Sequence, residues 1–152
     1  MGGIAGGPGT YVLLLSSCGR RPLRIGRRGV MELAPGCYFY VGSAFGPGGI
    51  AARLGHHRRV TRRPHWHIDY LRQALPLSDC WFSFDERRME HCWAAVAGGL
   101  RGASIPLARF GASDCQCPAH LFHFPEPPAF QSFRRRLLLA VPDHAPLERI
   151  TE

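Results

Sequence analysis
Apolar positions along the chain fall into three rhythms, and each predicts a different element. From Gly9 to Leu15 (GTYVLLL) the apolar run is unbroken, which predicts a central strand buried on both faces. Tyr38, Tyr40 and Val41 suit a pleated, half-buried strand, which Gly42 and the Gly46-Pro47-Gly48-Gly49 cluster then end. Leu77 to Phe84 reads as a further strand. Between the first two, Leu23 to Leu33 predicts a hairpin with Arg27, Arg28 and Gly29 at its tip. A helix should start at Ile50, with Arg53 and His57 four apart on one face. Another is expected over His65 to Leu71, where His65 and His67 are assigned to packing and to hydrogen bonding with Asp69. Met89, Trp93, Val96 and Leu100 recur at helical spacing and mark a core-facing stripe, with Asp85 as its cap and Glu86 in its first turn. Met1 to Pro8 reads as a flexible lead, and Pro125 onward as a proline-rich turn, one helix carrying Arg134, Arg135 and Arg136, and a weakly ordered tail from Pro142.

Composition narrows the classes. A chain of 152 residues with 45% apolar content can bury one ordinary core. The longest apolar runs are too short to span a bilayer, so no membrane partner is expected. The six cysteines come without a signal peptide, which points to reduced thiols in the cytoplasm rather than a secreted disulfide scaffold. Net charge is +8, and all 19 basic residues are Arg. Composition bias accounts for part of that choice, but the excess positive charge suits a polyanion, because the guanidinium fork matches phosphate oxygens. The densest basic run is Arg58 to Arg63 (RRVTRR), with two readings, a solvated face or a phosphate contact beside the Arg53 helix.

Two further groups carry candidate chemistry. Cys115, Cys117 and His120 have Cys-x-Cys-x-x-His spacing and could hold zinc, with a fourth ligand from His91, Cys92 or His123; buried thiols are the plainer reading. Glu90 lies beside the helical stripe, where a carboxylate is more often a salt-bridged surface group than a metal ligand.

Taken together, these residues resemble the GIY-YIG nuclease superfamily. Gly9, Thr10 and Tyr11 stand where that family has its first tripeptide, and Tyr40, Val41 and Gly42 where it has the second; Arg53 and His57 match its Arg-Leu-x-x-His helix. The segments YVGSAFGPGG (40–49), HWHIDY (65–70) and GASDCQC (111–117) look like a poorly characterised branch that is sometimes fused to endonuclease III. The resemblance implies an α/β chain of the α+β kind, with a small, mainly antiparallel, three-stranded sheet flanked by helices. It assigns 9–124 to the nuclease-like domain, with 1–8 as lead and 125–152 as helix and tail. It also implies a metal-dependent endonuclease that hydrolyses DNA phosphodiester bonds in repair or processing, acting as a homodimer or with a repair-protein partner. The alternative is a non-catalytic nucleic-acid-binding module of the same fold. In the catalytic reading Tyr40 would hold or deprotonate the attacking water, with Tyr11 beside it. Arg53 would stabilise charge on the phosphate, His57 would orient substrate or relay a proton, and Glu90 would hold Mg²⁺ or Mn²⁺. Ser43, Arg58, Arg59, Arg62 and Arg63 would contact the substrate.

Overall fold
The computed structural model describes residues 4–112 and 116–152. The apolar run becomes strand β1 (Gly9–Ser17), which sits in the middle of the sheet with Tyr11 to Leu15 almost wholly excluded from solvent. A hairpin follows, β2 (Arg21–Arg24) and β3 (Val30–Leu33), joined by a 3₁₀ turn over Gly26–Arg28 as the glycine and arginines at its tip predict. Strand β4 (Gly36–Ala44) then runs antiparallel to β1 along its whole length, from Gly9 opposite Ala44 to Ser17 opposite Gly36. Helices α1 (Gly49–Arg58) and α2 (His67–Ala74) lead to β5 (Leu77–Ser83), which pairs antiparallel with the other side of β1. Helix α3 (Glu90–Gly98), strand β6 (Leu121–Phe124), helix α4 (Phe130–Ala140) and strand β7 (Glu148–Thr151) complete the described elements.

The protein is α+β with a mainly antiparallel sheet, but that sheet has five strands in the order β6-β4-β1-β5-β7, not three. Both added strands are short edge strands: β6 pairs with β4 and β7 with β5. Their sequences carry little local signal, since four residues such as ERIT become a strand only when a neighbour offers a ladder. The tail expected to be weakly ordered is therefore built in. Besides β7, buried His144 accepts a hydrogen bond from the Trp93 indole at 2.9 Å, and Asp143 pairs with Arg87 at 3.2 Å. The lead is tied down at Gly7, whose carbonyl accepts from the Ile50 amide at 2.9 Å. Gly49, at φ +54°, is pressed so close to Gly6 and Gly7 that a side chain there would meet their backbone.

Period-two alternation divides the core between the two faces of the sheet. Tyr11, Leu13 and Leu15 point to one side with Tyr38, Cys80 and Phe82, under α1 and α2. Val12 and Leu14 point to the other with Phe39, Val41 and Trp81, under α3 and α4. The α3 stripe differs in detail from its expectation. Trp93, Ala94 and Ala97 are its buried positions, with Met89 and Leu100 just beyond the ends and Val96 at the margin. Asp85 does not cap this helix; its carboxylate instead holds Arg87 at 2.8 Å and the Ala145 amide at 3.0 Å, which fastens the tail. The helix therefore starts late, and Glu90 becomes its first residue.

Candidate functional site
The two glycine-tyrosine segments form one unit. In the β1–β4 register Tyr11 stands opposite Gly42, and a Cβ on Gly42 would run into the Tyr11 ring. Glycine at that position lets the phenol lie across the neighbouring strand toward α1. There the Tyr11 hydroxyl and His57 Nε2 are 2.7 Å apart, and the two rings are 5.3 Å centre to centre. Tyr40 joins the group, 6.4 Å from Tyr11 and 6.3 Å from His57 by ring centroids.

Arg53, one turn before His57, lays its guanidinium over the Trp66 ring at 4.4 Å. That stacking fixes the long side chain at the rim, with no carboxylate among the described residues paired to it. Trp66 is placed by Asp69, which accepts from the Trp66 amide at 2.9 Å, the His65 amide at 2.8 Å and His56 Nε2 at 2.9 Å. Asp69 thus bonds the backbone of His65, while His56 supplies the ring expected from His65 or His67. His67 turns instead to Phe110, 5.7 Å between rings.

Tyr40, Ser43, Arg53 and Glu90 line one cleft of about 560 Å³. Tyr11 and His57 sit directly behind Tyr40 as buried support. The cleft wall also holds His65, Trp66, His67, Arg88, His91, Gly111 and His120; of these Arg88 carried no sequence signal, while Trp66 and Gly111 lie in segments that carry the resemblance and His91 was a candidate zinc ligand. Arg88 is steadied by Phe45, with its guanidinium 4.7 Å from the ring centre. The arginine run lies elsewhere. Arg58 pairs with Glu152 at 2.8 Å, Arg59 follows the end of α1, and Arg62 and Arg63 are exposed on the loop before α2; none of the four lines the cleft.

Burial sets the protonation of this group. It is the largest influence on Tyr11 and holds its phenol well above the ordinary value, with Tyr40 pushing the same way and Arg53 opposing. Tyr40 is raised likewise, first by burial and then by Glu90 and Asp69, against the pull of Arg53. His57 is driven down to about 3 by burial, helped by His56, Arg53 and Arg72 and opposed by Asp69. At neutral pH the three are two phenols and a neutral imidazole. The His57 Nδ1 atom is buried without a hydrogen-bond partner among the described residues.

Glu90 borders the cleft with its side chain 24% exposed, its Oε2 3.9 Å from His120 Nδ1. Beside it, His91, Cys117 and His120 bring ligand atoms within 4.8 Å of one another. Of the candidates for a further zinc ligand, His91 is the one that reaches the group. Cys92 faces the α3–α4 groove, and His123 is hydrogen-bonded to the Pro35 carbonyl at 2.9 Å. Cys115 lies outside the described residues. His56, His57 and Asp69 also bring ligand atoms within 4.8 Å, but the His56 and Asp69 pair and the His57 and Tyr11 pair already use them in hydrogen bonds.

No helix among the described residues is long and apolar enough to cross a membrane. No curated protein and no solved structure matches the chain. A family described only as a domain of unknown function, DUF123, matches residues 10–140, the span from β1 through α4. The cleft and all five residues around which it was expected lie inside that span, and the chain belongs to this DUF123 family.

Proposed function
We propose that the protein is a metal-dependent endonuclease of GIY-YIG type that hydrolyses phosphodiester bonds in DNA. The observation that carries this reading is the meeting of Tyr40, Arg53 and Glu90 in one cleft, backed by the hydrogen-bonded Tyr11 and His57. Each group has a task suited to its surroundings. Arg53, stacked over Trp66 and without a carboxylate partner among the described residues, presents its fork to a phosphate oxygen and stabilises charge as it develops. Arg88 gives the same wall a second cation. Tyr40 starts as a protonated phenol, so its oxygen orients the attacking water. Neutral His57 shares a hydrogen bond with the Tyr11 hydroxyl, which fixes that phenol beside Tyr40.

Glu90 fits a hard divalent cation, being a partly exposed carboxylate at the cleft edge with no arginine paired to it among the described residues. Mg²⁺ typically takes one or two protein carboxylates and completes its shell with water and substrate phosphate. Bound there, Mg²⁺ or Mn²⁺ would supply Lewis-acid stabilisation of the phosphate and the leaving oxygen. One observation favours the second reading, a binding module that does not cut: burial keeps both phenols protonated in the free protein.

The two separate in a cleavage panel of labelled single-stranded, duplex and branched DNA with Mg²⁺ or Mn²⁺. Cleavage by the native chain is expected, falling about 10²–10³-fold in Glu90→Ala and Arg53→Ala. Retained binding without cutting, under both metals and on every DNA form, would leave the binding module.

A further inference from the structure
We propose that His91, Cys117 and His120, beside Glu90 on the cleft wall, form a binding site for zinc. The three residues come from two parts of the chain. His91 is on the first turn of α3, while Cys117 and His120 lie in the segment that enters β6. That segment is held at several points. The His120 amide donates to Phe110 O at 2.8 Å, His120 O accepts from the Val41 amide at 2.8 Å, and the Arg109 amide donates to Pro118 O at 2.7 Å. Arg109 Nη1 also donates to Cys117 O at 2.6 Å. The donors thus stand on a framework tied to β4, and their approach to α3 is part of the fold.

The distances fit the ion. Zinc binds imidazole nitrogen at about 2.0–2.1 Å and thiolate sulfur at about 2.3 Å, so tetrahedral ligand atoms stand about 3.3–3.8 Å apart. His91 Nδ1 and Cys117 Sγ are already 3.3 Å apart, and the whole set falls within 4.8 Å. Closing the remainder needs about 1 Å of side-chain movement, and His91 is exposed and able to make it. Two imidazoles and a thiolate select zinc over magnesium or calcium, which prefer oxygen. Among the described residues three side chains supply ligands, one fewer than a tetrahedral zinc site holds. Glu90 is outside this set of three and borders the same cleft.

Such an ion would pin the 107–120 segment to the start of α3. Gly111 of that segment packs against the Tyr40 ring, and Glu90 precedes His91, so the clamp would hold two walls of the cleft in register.

The test uses the tag-free full chain, stripped with chelator and reconstituted with Zn²⁺ or Co²⁺ alone. We expect about one equivalent of tightly held zinc, and with cobalt a thiolate charge-transfer band in the near ultraviolet beside tetrahedral visible bands. His91→Ala, at an exposed position that folding does not require, should weaken metal binding more than about 100-fold, and Cys117→Ala should abolish the charge-transfer band. Cys92→Ala should leave the band intact. Less than stoichiometric metal after reconstitution, cobalt spectra without a thiolate band, or a band that vanishes in Cys92→Ala and survives in Cys117→Ala would each overturn the site. DNA cleavage is read separately, so failure of the nuclease reading leaves these outcomes unchanged.

Discussion

The two faces of the sheet are built from the same strands and differ in kind. Under α3 and α4 the packing is aromatic and dry. Phe39, Trp81, Trp93 and Phe133 meet tilted or edge-on, with ring centres 5.4–5.6 Å apart, and Val12 and Leu14 fill between the strands. Under α1 the equivalent depth holds Tyr11, His57 and Asp69, which are as fully buried but polar. Buried polar groups cost stability unless each finds a partner, and here His57 Nδ1 has none among the described residues. One face is organised for folding, and the other carries groups whose presence folding alone does not explain.

That contrast can be broken at its dry side first. Phe133→Ala empties the centre of the aromatic cluster and should cost about 3–5 kcal/mol of unfolding free energy by urea titration. A loss under about 1 kcal/mol would mean that the α4 layer contributes little to the core.

The polar side should reveal itself through pH. With His57 near 3 in the fold and about 6.5 when unfolded, the unfolded chain takes up a proton that the folded one refuses. Stability from neutral His57 is therefore complete above the unfolded value and is lost as pH falls toward 3. Between about pH 7.5 and pH 5 the native chain should lose about 2 kcal/mol more than His57→Gln does. His67 and His120, whose values are also lowered chiefly by burial, act in both proteins and cancel in that difference. Equal losses in the two would show that His57 is not held neutral.

A smaller effect belongs to the other face, where Thr10 lies in phase with Val12 and Leu14 on β1. Thr10 is wholly buried with its hydroxyl unpartnered among the described residues, so Thr10→Val should raise stability by about 1 kcal/mol in the same titration. A decrease would reveal a bonded hydroxyl.

Several of these features were legible in the residues. The unbroken run of β1 announced a strand with two covered faces, and the alternation of β4 showed which rings share a side, because side-chain direction in a strand follows from local geometry. Arg53 and His57 could be placed on one helix face for the same reason. The cleft's remaining wall was not legible, since it depends on contacts between residues far apart in the chain. His91 and Cys117 are 26 residues apart, and their meeting follows from α3 and the β6 segment docking on the same part of β4.

The amino-acid sequence by itself determined the central strand and its flanking hairpin and helices. Local backbone preference and period-two burial are sufficient for those. Only the tertiary structure decided the two edge strands, the diversion of Asp85 from helix cap to tail anchor, and the capture of Arg58 by Glu152. Each of those depends on a partner that folding brings near, so no local pattern could have announced it.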